Sequence, residues 1–329
     1  MMEERFIPHG PLGLGGAPLG NLLGALDDDT AQSTITTAWD AGIRHFDTAP
    51  HYGAGLSEHR MGAGLRGRKR DAYTLSTKVG RILVPVPKGV GQWADNFEYG
   101  LDFSRRLDVS YDGAMRSIED SLQRLGLARI DIAYIHDIGA DWLGDAWEGH
   151  FTDAMAGAAK ALSKLRDEGV IRAWGFGVNV VEPCLRAMRE SDPNMFLLAG
   201  RYTLLDHGGL PELLPECEAR GVHVVIGGPY NSGLLAGGDT FNYERAAPEL
   251  VEKTRAIAAV CARYGVDLKA AALQFCAAHP AVAAVVPGAK NPVEVAQNAA
   301  MMELAIPLDL WAELKRLALL PEEAPVPEL

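Results

Sequence analysis

Apolar positions along this chain fall into stripes of helical spacing, each closed by a glycine and followed by a short apolar run. Met115, Ile118, Leu122 and Leu125 stand three or four residues apart, the spacing of one helix face. Gly126 ends that stripe and the run 130–135 follows. Met155, Ala159, Leu162 and Leu165 form the next stripe, closed by Gly169 before the run 173–178. Leu213, Leu214 and Cys217 lead to Gly221 and the run 222–226. Nearer the N-terminus, Asp27, Asp28, Asp29 and Thr30 supply a cap and an acidic first turn; Ile35, Ala38 and Trp39 lie inside that helix, and Gly42 stops it.

Eight runs read as strands: 12–15, 43–46, 73–77, 130–135, 173–178, 195–198, 222–226 and 283–286. They are nearly continuous in apolar residues, as parallel strands covered on both faces are. Alternation of eight such strands with helices predicts a (β/α)8 TIM barrel, an α/β fold occupying 1–329 as a single domain. The composition breaks only at 81–110, where Pro85, Pro87, Gly89 and Gly91 predict a long functional loop. Residues 321–329 read as an acidic, Pro-rich tail.

Composition narrows the partners. Of 329 residues, 48% are hydrophobic, enough for a large core, and the net charge of -12 argues against nucleic acid or an anionic membrane surface as partner. No apolar stretch approaches the roughly 18 residues needed to span a bilayer, and Met1 to Arg5 lack the form of a secretory signal. Cys184, Cys217, Cys261 and Cys276 are widely spaced and read as buried free thiols, which fits a cytoplasmic protein.

In such a barrel, reactive groups collect at the C-terminal ends of the strands. There stand Asp47 with Tyr52 five residues on, Lys78, and His136 followed by Asp137. Transfer of a hydride to or from carbon needs a group that exchanges a proton with the substrate oxygen. Tyr52 is that group, since an adjacent Lys78 ammonium would stabilise the tyrosinate and Asp47 would hold the ammonium. His136 would orient the substrate oxygen. A Schiff-base aldolase built on Lys78 is a second reading of the same residues. A metal site at His45, Asp47, His51 and His59 lacks ligand spacing, so no metal is expected. The stretch Gly13-Leu14-Gly15-Gly16-Ala17-Pro18 is not a dinucleotide fingerprint, because no βαβ unit surrounds it.

Residues 42–53, Ser57-Glu58, Leu75-Ser76-Thr77-Lys78 and 131–136 together resemble the aldo-keto reductases, in order and spacing, over nearly the whole chain. The resemblance implies a barrel that binds NAD(P) at its strand C-termini, with Asp47, Tyr52, Lys78 and His136 as the catalytic set. It also implies cofactor contacts at Gly15, Gly16, Ala17, Asp47 and Asn179, at the strap Pro229, Asn231, Ser232, Gly233 and Leu234, and at the adenosine end: Pro287, Gly288, Ala289, Lys290, Glu294, Gln297 and Asn298. The sequence departs from the family at Val178, at 199–202 and at Gly227, where members commonly carry a Ser, a Gln and a Tyr beside the nicotinamide. Glu294 stands where NADP-preferring members present an Arg, so the expected cofactor is NAD rather than NADP. Residues 52–60, 110–113 and 199–206 are similar to the aldose 1-dehydrogenase branch. That implies oxidation of a cyclic hemiacetal, a sugar such as L-fucose or D-threo-aldose, or pyridoxal, to the lactone. An aldehyde reductase running in the opposite direction, and a non-catalytic barrel that binds nicotinamide as a regulatory subunit, are the alternatives. The loops 81–110 and 137–150, with Trp142 and Trp147, are expected to select the substrate.

Overall fold

The computed structural model describes residues 6–87 and 96–328. Its strands are β1 Gly13–Gly15, β2 His45–Asp47, β3 Thr74–Val79, β4 Arg81–Pro85, β5 Phe103–Leu107, β6 Ile132–His136, β7 Ala173–Val178, β8 Met195–Ala199, β9 His223–Gly227, β10 Thr240–Phe241, β11 Glu244–Arg245 and β12 Val282–Val286. Eight of them, β1, β2, β3, β6, β7, β8, β9 and β12, pair in that order and in parallel. Parallel bridges Leu12↔Val285 and Gly15↔Gly288 join the last strand to the first, so the sheet closes into a (β/α)8 barrel. All eight runs expected from the sequence are these strands, displaced at their ends by no more than a residue or two.

The helix signals act as their chemistry dictates. Asp27 caps Asp28–Asp40 by accepting from Thr30 N at 2.6 Å, and Ser110 caps Tyr111–Leu125 by accepting from Gly113 N at 3.0 Å. Gly126 and Gly221 end their helices in the left-handed conformation. The stripe from Met155 to Leu165 is two helices rather than one, Trp147–Ala156 and Ala158–Asp167. The break falls at Gly157, which lies so close to the neighbouring chain that an added β-carbon would stand 2.6 Å from the Val109 carbonyl oxygen.

Two further expectations are corrected. Within 81–110 the chain forms an antiparallel hairpin, β4 with β5, whose short arms pair Arg81 with Leu107 through to Pro85 with Phe103. Pro87 and residues 96–102 are its described connection, while Gly89 and Gly91 lie outside the described residues. The C-terminal stretch is not a free tail: Ala324 is buried, Val326 packs on the core, and Lys315 Nζ donates to Glu322 O at 2.7 Å. Apolar side chains inside a Pro-rich segment anchor it. The four cysteines are free and buried. No helix among the described residues is long and apolar enough to cross a membrane.

Candidate active site

Strand register brings the polar residues together. Asp47 ends β2 opposite Ser76, Lys78 lies on β3 opposite Tyr134, and His136 ends β6 opposite Gly177. Lys78 is 1% exposed, and burying an ammonium is tolerable only with partners. Its Nζ donates to Asp47 Oδ2 at 2.8 Å and to the Thr48 carbonyl at 2.9 Å, while Ser76 Oγ donates to Asp47 Oδ1 at 2.7 Å. A β-carbon at Gly177 would stand 3.1 Å from Tyr134 Cβ, so glycine fits the close approach beside the strand that faces Lys78.

Tyr52 stands in the turn after β2, where backbones meet. A β-carbon on Gly20 would lie 2.5 Å from the Tyr52 carbonyl carbon, and Gly53, at φ +63°, is pressed against Gly20 in turn. The Tyr52 ring stacks on Phe97 at 5.5 Å and meets the His136 ring edge-on at 5.8 Å. Lys78 Nζ lies 4.5 Å from its centroid. Burial pushes the phenol well above its ordinary value of 10.0, and the charges of Asp47, Tyr243 and Asp137 push the same way. The sequence-based expectation had the nearby ammonium, held by Asp47, favouring the tyrosinate; the Lys78–Asp47 pair forms, but burial dominates the phenol. His136 is driven well below 6.5 by burial, Lys78, His51 and Arg81, so its ring is neutral.

Tyr52 lies where two cavities meet. The first, of about 520 Å³, is lined by His51, Tyr52, Lys78, Phe97, His136, Asp137, Asp141, Trp142, Asn179 and Arg201, among others. The second, of about 620 Å³, runs from Asp47 and Tyr52 past Gly15, Gly16, Ala17, Gly227, Pro229, Ser232 and Gly233 to Gly288, Lys290, Glu294, Gln297 and Asn298. Most of the expected cofactor residues are thus on one wall. Asn179 and Asn231 line the first cavity instead, and Asn231 Nδ2 donates to Gly200 O at 3.3 Å. Leu234, Pro287 and Ala289 are not brought to either cavity: Leu234 and Ala289 are buried in packing, and the Pro287 carbonyl accepts from Gly15 N at 2.9 Å in closing the barrel.

The second cavity suits an extended dinucleotide. Its middle is backbone with little side chain, and the turn at Ser232 and Gly233 holds left-handed φ values of 57° and 110°, a conformation that turns successive amides to one side. Its far end holds Glu294, whose Oε2 accepts from Lys290 N at 2.8 Å and whose Oε1 accepts from Asn291 Nδ2 at 3.2 Å. Asn291 Oδ1 accepts in return from Glu294 N at 3.0 Å, so the carboxylate is fixed by a helix cap while lining the cavity. Lys269 and Lys290 line the same end.

Several contributors escaped sequence reasoning. The hairpin β10–β11 carries Asn242, Tyr243 and Glu244 into the first cavity; Arg201 donates to Asn242 Oδ1 at 3.0 Å and Tyr243 N to Ser232 Oγ at 3.0 Å. Two-residue strands leave no periodic signal. Of the two tryptophans expected near the substrate, Trp142 lines the first cavity and Trp147 packs on Phe151 at 6.1 Å.

The model of the Aldo/keto reductase family matches residues 11–318. The D-threo-aldose 1-dehydrogenase of Pseudomonas sp is 43% identical over 94% of this chain and 94% of its own length. The pyridoxal 4-dehydrogenase of Microbacterium luteolum is 39% identical over 92% of each. The holo form of an aldo-keto reductase from Bacillus halodurans superposes with a TM-score of 0.71 at 25% identity, covering 100% of this chain and 99% of that one.

Proposed function

Because this chain belongs to the aldo/keto reductase family and is an oxidoreductase acting on CH–OH groups, we propose that it oxidises a cyclic hemiacetal, an aldose or pyridoxal, to the lactone with NAD. The observation that carries the reading is the position of Tyr52 at the junction of the two cavities, over the Lys78–Asp47 pair.

In this reading Tyr52 Oη takes the proton of the hemiacetal hydroxyl as the C–H bond at the same carbon gives up its hydride, leaving the lactone carbonyl. A bound NAD supplies the hydride acceptor. Neutral His136 holds the reacting oxygen as a hydrogen-bond donor. Lys78 is kept charged beneath the ring by Asp47. Burial raises the phenol, so further positive charge would help it act as a base near neutral pH, and the oxidised nicotinamide would supply such charge when bound. Asp47, Tyr52, Lys78 and His136 are thus assigned as the catalytic set. Glu294 supports NAD: its fixed carboxylate repels a 2′-phosphate and accepts from a free ribose hydroxyl.

Lys269 and Lys290 favour a second reading, since ammonium groups at that end would attract a 2′-phosphate, as in an NADPH-driven aldehyde reductase. Oxidation of L-fucose, D-arabinose, L-galactose and pyridoxal, with NAD and NADP each at limiting concentration, separates the two. NADH formation with at least one of these, and poor turnover with NADP, is expected. No NADH from any of them, alongside brisk NADPH-driven aldehyde reduction, would establish the second reading.

A further inference from the structure

The wall of the first cavity carries ionisable groups that the proton transfer above does not use, among them Asp137, Asp141, Arg201 and Glu244. Asp137, directly after β6, is 6% exposed and lines that cavity. Its backbone sits at φ +51°, the left-handed region that residues with a β-carbon rarely adopt. Its amide donates to Gly177 O at 3.0 Å. Such strain persists where the surroundings over-determine it, and it collects at functional sites. Here it sets the carboxylate: Asp137 Oδ2 lies 3.3 Å from His136 Nε2 and 3.9 Å from Arg81 Nη2.

Arg81 stands behind the wall, on β4, with its guanidinium carbon 5.9 Å from the Trp142 ring centre. Its Nε and Nη2 are buried without a hydrogen bond, so it acts on Asp137 as a nearby positive charge. The His136 ring is neutral and has one N–H to place. Its Nδ1 is buried with no hydrogen-bond partner among the described residues, whereas Nε2 faces the Asp137 carboxylate. The proton therefore sits on Nε2. The wall presents a donor and an acceptor side by side, next to the Tyr52 ring.

We propose that Asp137 determines specificity: its carboxylate accepts a hydrogen bond from the hydroxyl on the carbon next to the reacting one, while the single His136 Nε2–H is shared between that carboxylate and the reacting oxygen. The inference rests on the hemiacetal reading above. A carboxylate offers about four acceptor positions, so protein partners and a substrate hydroxyl can share one carboxylate. The substrate is then a polyhydroxylated hemiacetal with an adjacent hydroxyl. Asp141, Asn179, Arg201 and Asn242 give the same cavity planar polar groups for more distant hydroxyls.

The test compares an aldose with its 2-deoxy analogue, with NAD, in the wild type and two variants. Asp137→Gly removes the carboxylate and tolerates the positive φ; Asp137→Asn keeps an acceptor without the charge. The wild type is expected to prefer the hydroxylated sugar by at least about tenfold in kcat/KM. In Asp137→Gly that ratio falls towards one through loss on the hydroxylated sugar alone, and Asp137→Asn retains part of it. Equal losses on both sugars, or a wild-type ratio already near one, would overturn the proposal. A wild type that makes NADH from neither sugar would sink the hemiacetal reading itself, and this proposal with it.

Discussion

The Lys78 ammonium nitrogen lies 4.5 Å from the centre of the Tyr52 ring, under its face. A desolvated cation–π contact of this kind is worth about 2 kcal/mol and holds ring and ammonium in register. It does not by itself make the phenol acidic, because burial and neighbouring carboxylates raise the Tyr52 pKa. In the proposed mechanism the pair is a positioned proton carrier, and further positive charge would ease its ionisation.

Tyr52→Phe keeps the ring, its stacking on Phe97 and its contact with Lys78, and removes only the hydroxyl. Turnover should fall by at least about 10²-fold, the lower range for a lost acid–base group. NAD binding, followed by quenching of protein fluorescence, should change little. Substantial residual turnover would assign the proton to another group.

Asp47→Ala strands a buried ammonium. Removing one partner of a buried pair costs about 3–5 kcal/mol, so the urea midpoint should drop sharply. The double variant Asp47→Ala with Lys78→Met removes both charges and should recover most of that stability while remaining inactive. Independent, additive losses would mean the pair is not coupled as its 2.8 Å separation implies.

The pH dependence has two signatures. In the proposed oxidation the tyrosinate is the reactive form and burial raises its pKa, so log kcat/KM should climb as pH rises from neutral into the alkaline range. Stability behaves differently. Burial holds His45 at about 3, against an ordinary 6.5, so below pH 6.5 the unfolded chain takes up a proton that the folded barrel refuses. Its contribution is present above pH 6.5 and is lost as pH falls towards 3, at about 1.4 kcal/mol per pH unit for each such histidine. His45→Phe should flatten that slope in urea titrations; an unchanged slope would place the proton uptake elsewhere.

Gly20→Ala should impair catalysis from outside the polar set. Its β-carbon would meet the Tyr52 carbonyl, which is backbone and cannot rotate away. An overpacking cost of about 1–3 kcal/mol is expected, with a lower kcat as the Tyr52 turn shifts. Wild-type kcat and melting temperature together would show that the turn yields freely.

Much of this was legible in the chain, for identifiable reasons. Gly126 and Gly221 close their helices because a left-handed cap needs no neighbour to specify it. The Met155 stripe misled because its break depends on Gly157 touching Val109, a contact between distant elements. Likewise Ala324 and Val326 dock a segment whose composition alone says tail.

By itself the sequence determined the eight strands, the closed parallel barrel and the placement of Asp47, Tyr52, Lys78 and His136 at strand ends, because periodicity and strand termini are local properties. Only the tertiary structure decided the electrostatics: burial raises Tyr52 and lowers His136. It alone turned the Asp137 carboxylate to within 3.3 Å of His136 Nε2 and brought Asn242 and Tyr243 to the cavity wall. Desolvation and charge proximity depend on which atoms surround a group in space, and positions along a chain do not carry that information.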